Sequence, residues 1–285
     1  RVELIDVDPL TLNMDLDALE KKLKAANKTG DIPKAIIPVH FGGNPIDMPR
    51  IGGLAKQYGF AVIEDASHAL GARFDQEPIG SCRWSDLTVF SFHPVKPITC
   101  GEGGVVTCNS PKIIDRLISL RSHGIQRNNT RADRSLPYEQ VTLGFNYRLS
   151  DIHAALGKSQ LTRSDKYIAY RAELRELYGK SLDHSQVKLQ SISERAKSSH
   201  HLLVAQFRNE NIRNQIKKRL LSEKVGVNFH YTPIYRHSFH RELGTDSDFP
   251  NIAQYFRTGI TLPLHVNLSP TEVQAVCQII NKELE

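Results

Sequence analysis

Apolar and polar positions alternate with two different periods along the chain, and the first half switches between them repeatedly. Over residues 16–26 the apolar Leu16, Leu19 and Leu23 fall on one face of a 3.6-residue period, which predicts a helix. Residues 34–39 form a short apolar run closed by Gly42-Gly43-Asn44-Pro45, the signature of a strand followed by a turn. Helical spacing returns over 51–58 and stops at Gly59. Residues 60–64, 87–92 and 104–107 then read as strands. A helix follows over 111–121, with Ser110 as its cap and Pro111 in its first turn. Strands that alternate with helices imply a mainly parallel sheet covered on both faces.

The second half reads differently. Residues 126–139 are polar and without period, which predicts a long loop of the kind that often carries function. Ser150 caps a helical pattern that runs from 151 towards 178, long enough to bridge two lobes. Beyond it come a strand at 202–207, a helix at 212–223, a strand at 225–231 and a short helix at 252–257. The last helix opens on Ser269-Pro270-Thr271-Glu272, a capping box with proline in the first turn. The expected organisation is a large α/β domain over residues 1–149. A bridging helix and a smaller α+β domain follow over 150–285. No repeat, low-complexity tract or run of about 18 apolar residues interrupts this pattern, so no membrane partner is expected.

Composition narrows the function little. The chain has 285 residues, 40% of them hydrophobic and 24% charged, ordinary for a globular protein able to bury a sizeable core. The formal charge of +6 comes from scattered basic residues with acidic ones among them. That arrangement fits attraction of an anionic substrate better than a nucleic-acid surface, and no nucleic-acid partner is expected. Cys82, Cys100, Cys108 and Cys277 form no CxxC pair and no zinc spacing, so reduced thiols, a cytoplasmic setting and no metal are expected.

Chemistry concentrates at two strand ends. One reads Val62-Ile63-Glu64-Asp65-Ala66-Ser67-His68. The other reads Val89-Phe90-Ser91-Phe92-His93-Pro94-Val95-Lys96 and is followed by Gly101-Glu102-Gly103-Gly104. Ligands of open α/β sheets bind outside the carboxyl ends of the strands, so Asp65 and Lys96 are expected to converge on one crevice. A carboxylate and a lysine there suit pyridoxal phosphate. The lysine bonds the cofactor aldehyde and later moves protons, and the carboxylate holds the pyridine nitrogen protonated. Ser91, five residues before Lys96, has a hydroxyl suited to a phosphate oxygen. Taken singly, each residue has an ordinary reading: a loop carboxylate, a surface lysine, a satisfied histidine. Their order and context give the set its meaning.

The segments Glu64-Asp65-Ala66-Ser67-His68-Ala69-Leu70-Gly71-Ala72, 91–96 with 101–104, and Gly144-Phe145-Asn146-Tyr147-Arg148-Leu149-Ser150-Asp151 resemble those of the DegT/DnrJ/EryC1/StrS sugar aminotransferases, and the likeness covers essentially the whole chain. The resemblance implies the aspartate-aminotransferase fold (fold type I) in a homodimer with composite sites. Lys96 would bond the cofactor, Asp65 would face its pyridine nitrogen, and His68 would lie by its ring and 3-hydroxyl. Ser91 would bind the phosphate, and Asn146 would reach the phosphate of the partner's site. Arg148 would lie near that crossing, and His230 and Tyr231 would approach the sugar. The implied substrates are an amino-acid donor, glutamate in relatives, and a nucleotide-linked keto sugar of surface-glycan synthesis. By the same resemblance relatives begin roughly a hundred residues earlier, so an N-terminal part of the cofactor site and sheet is expected to lie outside this chain. Two rival readings share the fold. A sugar dehydratase would carry histidine where Lys96 stands, and a silent regulatory or binding protein would have no need of the Asp65, Ser91 and Lys96 set.

Overall fold

The computed structural model describes residues 1–126 and 138–285. In chain order the first half holds α1 (Leu16–Thr29), β1 (Ala35–Ile36), α2 (Met48–Tyr58), β2 (Ala61–Asp65), β3 (Arg73–Phe74), β4 (Glu77–Pro78), β5 (Leu87–Ser91), β6 (Gly104–Thr107), α3 (Pro111–Arg121), β7 (Ile125–Gln126) and β8 (Glu139–Gln140). The main sheet has the order β1-β2-β5-β6. β1, β2 and β5 run parallel, and β6 closes one edge antiparallel to β5. Leu16, Leu19 and Leu23 of α1 and Met48, Ile51 and Leu54 of α2 pack with Val62 and Phe90 of the sheet in one buried cluster. Both helices end where a left-handed residue is needed, at Gly30 and Gly59, where a side chain would be strained.

The expected strand over 34–39 is shorter than its apolar run, because prolines at 33 and 38 have no N–H to give a ladder. What remains is β1 and a single bridge between Val39 and Asp65. Of the loop expected at 126–139, residues 127–137 lie outside the described residues. Its described ends, β7 and β8, pair antiparallel.

The second half holds α4 (Asp151–Leu161), α5 (Ser164–Ser181), β9 (Val187–Leu189), β10 (Ala196–Lys197), β11 (Leu203–Phe207), α6 (Glu210–Ser222), α7 (Pro250–Thr258), β12 (Gly259–Leu262) and α8 (Pro270–Leu284). The antiparallel sheet β12-β11-β9 lies in a second core with Leu174 and Tyr178 of α5, Ile216 and Leu220 of α6, and Val273 and Ile280 of α8. The capping box of α8 forms as expected. Ser269 Oγ accepts from Glu272 N–H, and Glu272 Oε2 accepts from Ser269 N–H at 2.7 Å.

Two expectations are corrected. The helix read as continuous from 151 towards 178 is broken at Thr162 and Arg163. Thr162 Oγ1 donates back to the Ser159 carbonyl at 2.8 Å, and Ser164 and Asp165 then open a new first turn. The strand expected at 225–231 reduces to one bridge, Asn228 with Thr261. Asn228 Oδ1 instead accepts from the N–H of Phe229, and Tyr255 Oη donates to the His230 carbonyl at 2.6 Å. Backbone groups that a ladder would use are therefore engaged by side chains.

Candidate active site

β2 and β5 build the floor of the site by their register. Asp65 stands opposite Val89, and Glu64 opposite Thr88. Side chains alternate between faces along a strand. Asp65 and Ser91 therefore share one face at the carboxyl ends, while Glu64 and Thr88 share the other. The hidden face carries a polar network. Glu64 is 3% exposed and accepts from Thr88 Oγ1 at 2.9 Å, from Ser85 Oγ, and from His40 Nε2 at 2.9 Å. His40 Nδ1 accepts from Ile46 N–H, so its Nε2 carries the proton given to Glu64. Burial pushes the Glu64 carboxyl up, but the His40 hydrogen bond with the two hydroxyls outweighs it and holds the group below its ordinary value.

On the open face the chain leaves β5 through a tight turn, with Lys96 N–H bonded to the His93 carbonyl and Cys100 N–H to the Phe92 carbonyl. That turn carries Lys96 back towards Asp65. Burial lowers the Lys96 amine from its ordinary value, and the Asp65 charge opposes the shift. Among the described residues Lys96 Nζ has no hydrogen bond or ion-pair partner, and the hydrogen bond described for the Asp65 carboxylate comes from Ser67 N–H at 3.0 Å. Ser91 Oγ accepts from His93 N–H at the strand end.

His68 is 6% exposed. Burial, then the Lys96 charge, holds it down at about 4, so it is neutral near pH 7. Its Nδ1 accepts from Gly42 N–H and its Nε2 faces Tyr231 Oη, both at 3.3 Å. His230 Nδ1 bonds Thr261 Oγ1 at 2.8 Å, and burial followed by Lys96 lowers its pKa. The structure thus brings Asp65, Lys96, His68, His230 and Tyr231 into one electrostatic neighbourhood, with Ser91 on the same sheet face as Asp65. Asn146 and Arg148 are placed elsewhere. Both are exposed on the segment before α4, bonded to each other through Arg148 Nε and Asn146 Oδ1 at 2.8 Å.

Sequence reasoning missed the opposite wall. Ser199 Oγ donates to the His68 carbonyl at 2.6 Å, and the His201 ring lies 4.5 Å from that of His68. Burial first, then His68 and Lys96, takes His201 down to about 2. Phe41 packs edge-on to Tyr231. The one sequence signal was Gly42-Gly43, read as a turn. At Gly43 φ is +87°, and an added Cβ would stand 2.2 Å from Ser199 Oγ and 2.9 Å from the His68 carbonyl oxygen. Gly43→Ala is therefore expected to cost about 1–3 kcal/mol through overpacking and left-handed strain. Gly53→Ala, in α2 with nothing within 4 Å of the added carbon, is expected to stabilise by about 0.5–1 kcal/mol. Urea unfolding midpoints of the two variants check the contrast.

The donor set fits pyridoxal phosphate on its own chemistry. Among the described residues a strand-end carboxylate has one oxygen without a partner, a partly desolvated amine has none, a hydroxyl shares the face of the carboxylate, and a neutral imidazole stands beside them. The fold and this site together define a pyridoxal-phosphate aminotransferase of fold type I. The sequence profile of the DegT/DnrJ/EryC1/StrS aminotransferase family matches residues 1–281, and the chain belongs to that family. It is 35% identical over 292 residues to the UDP-4-amino-4,6-dideoxy-N-acetyl-β-L-altrosamine transaminase of Campylobacter jejuni, with all of this chain and 74% of that protein covered. Among solved structures it is similar to PseC of Helicobacter pylori, an aminotransferase involved in the biosynthesis of pseudoaminic acid. The TM-score is 0.87 at 27% identity, over 98% of this chain and 72% of that one. It is also similar to the PLP-form of the sugar aminotransferase Spr1654 of Streptococcus pneumoniae, with a TM-score of 0.82 at 27% identity, over 99% and 75% of the two chains. No described helix is long and apolar enough to cross a membrane.

Proposed function

We propose that the full-length protein moves an amino group from an amino acid, glutamate by family resemblance, to the keto carbon of a nucleotide-linked 4-keto sugar. The overall exchange turns the amino acid into a 2-oxo acid and the keto sugar into an amino sugar. The observation that carries this reading is the convergence of Lys96, partly desolvated and unpaired among the described residues, with Asp65 and the neutral His68 at the strand ends. The names of the Campylobacter and Helicobacter proteins support a sugar of the pseudaminic acid type.

Bound pyridoxal phosphate supplies an aldehyde that a primary amine bonds and a protonated ring that withdraws electrons from the carbon beside the substrate nitrogen. Asp65 would hold the ring-nitrogen proton through its second carboxylate oxygen. Lys96 would bond the aldehyde in the absence of substrate. Displaced by an amino acid, its amine would take a proton from the substrate carbon and return one at the neighbouring position. Its lowered pKa suits both roles, because only the neutral amine attacks or accepts a proton. Ser91 would take the cofactor phosphate, and His68 would stand by the ring. Tyr231 and His230 would face the sugar.

The same reading gives residues 1–149 to the cofactor-binding domain and 150–285 to the bridging helices and small domain. It makes the protein a cytoplasmic homodimer in which Asn146 and Arg148 reach the partner's site. Support for the dimer comes from the segment that carries them, where Leu143, Phe145, Tyr147 and Ile152 are 85%, 53%, 71% and 82% exposed. Four large apolar side chains in ten residues form a patch of the kind that marks interfaces.

The test is chemical. The full-length protein is incubated with pyridoxal phosphate, reduced with borohydride and digested. The expected result is an absorbance band near the visible edge that borohydride bleaches, with the cofactor fixed to the peptide holding Lys96. A tag on another lysine, or none, would overturn the assignment.

A further inference from the structure

Two hydrogen bonds around His68 define a direction. The Gly42 amide is a donor only and addresses His68 Nδ1 at 3.3 Å, so Nδ1 carries no proton. The buried imidazole is neutral, and its one proton therefore sits on Nε2. Nε2 faces Tyr231 Oη at 3.3 Å. The phenolic oxygen is thus the acceptor of that bond, which leaves its own hydrogen for another partner.

The direction is held from several sides. Leu202 N–H binds the Gly42 carbonyl, Ser199 N–H and Ser198 Oγ bind the Gly43 carbonyl, and Ser199 Oγ binds the carbonyl of His68 itself. The His201 ring, 7% exposed, lies against the His68 ring. Turning the imidazole over would face carbon atoms towards both partners and leave the buried Gly42 N–H without an acceptor. Tyr231 lies at the open end of this chain of bonds. It is 51% exposed, near enough to Asp65 to feel its charge, and Phe41 packs against its ring.

We infer that Tyr231 is a specificity-determining residue that acts as a one-way hydrogen-bond donor into the site, its polarity set through His68 by the Gly42 amide, and that it selects a substrate with an acceptor oxygen at that place. The assignment of that oxygen to the sugar rests on the function proposed above. A carbonyl or hydroxyl oxygen satisfies the phenolic hydrogen, whereas an ammonium group at the same place does not. Glutamine in place of His68 preserves the relay, since its amide oxygen accepts from Gly42 and its NH2 group donates to Tyr231. Leucine there removes both bonds.

The test uses the full-length protein loaded with pyridoxamine phosphate and two readouts other than turnover. Imidazole 15N resonances of His68 are expected to show the Nε2–H tautomer, and an Nδ1–H tautomer or a charged ring overturns the relay whatever is bound. Calorimetric titration with UDP-4-amino-4,6-dideoxy-N-acetyl-β-L-altrosamine gives the second readout. Tyr231→Phe and His68→Leu are expected to weaken binding about threefold to tenfold, and His68→Gln to leave it near wild type. Equal binding by wild type and Tyr231→Phe overturns the selective role. Failure of wild type to bind this probe, with the Nε2–H tautomer present, counts against the proposed sugar and upholds the relay.

Discussion

Full-length protein carrying Lys96→Ala is expected to lose sugar amination by about 10²–10⁴-fold from the missing proton transfer alone. Its borohydride-fixed tag is expected to vanish altogether. The two losses have one origin. Lys96 is the amine that the turn after β5 brings back beside Asp65, and no hydrogen bond or ion pair among the described residues competes for its Nζ. Lys96→Arg is expected to fail nearly as completely, although it keeps a positive charge, because a guanidinium does not give up its proton in proteins. That variant separates charge from chemistry. Cofactor retention measured by fluorescence would change little in Lys96→Arg if Asp65, Ser91 and His68 do the holding. Single-turnover release of the 2-oxo acid from glutamate, followed by quenching and chromatography, isolates the step in which Lys96 moves the proton. A variant that kept wild-type turnover without Lys96 would remove the aminotransferase mechanism from this site.

How far the sequence reached depended on the distance over which each feature is determined. Asp65, Ser91 and Lys96 were legible because a strand end fixes where its last residues point, and the chain between Asp65 and Lys96 crosses only to the neighbouring strand β5. The capping box at Ser269 was legible for the same reason, since all its partners lie within one turn. The wall opposite was not. Ser199 and His201 meet His68 across more than 130 positions of sequence, and nothing local to Ser198-Ser199-His200-His201 marks it as part of the site. The break was missed because the apolar period carries on through it, while the backbone departs from the helix at one residue, Arg163. The lost strand at 225–231 shows propensity overruled. Its β-branched and aromatic residues suit a strand, but Asn228 and Tyr255 take up the backbone groups that pairing requires.

His40→Ala is expected to cost about 1–3 kcal/mol, the range for removing the donor of a hydrogen bond to a buried charged group and leaving the acceptor behind. Both residues are hidden, His40 wholly and Glu64 at 3% exposure, directly beneath the strand end that carries Asp65. Glu64 would keep its bonds from Ser85 and Thr88 but lose the one from His40 Nε2, so a carboxylate buried in the sheet would be undersatisfied. For a chain of this size the loss corresponds to a fall in melting temperature on the order of 5 °C. Adding Glu64→Gln to His40→Ala removes the stranded charge and is expected to recover part of the loss, whereas Glu64→Gln alone is destabilising. That non-additivity is the signature of direct coupling. The pH dependence has a definite sign. The folded Glu64 carboxyl lies below its ordinary value of 4.5, so its contribution is complete above that value and fades as pH falls through the lower folded one. The gap between wild type and His40→Ala should therefore be widest near about pH 7 and narrow towards about pH 4. Thermal unfolding of both proteins across that range checks the sign, and a gap that widened on acidification would show that the pair does not hold β2 in the way its geometry indicates. Because Asp65 is the next residue along β2, the same loss of order is expected to loosen cofactor binding before the protein unfolds. Pyridoxal phosphate titrations of His40→Ala below its melting temperature would detect it.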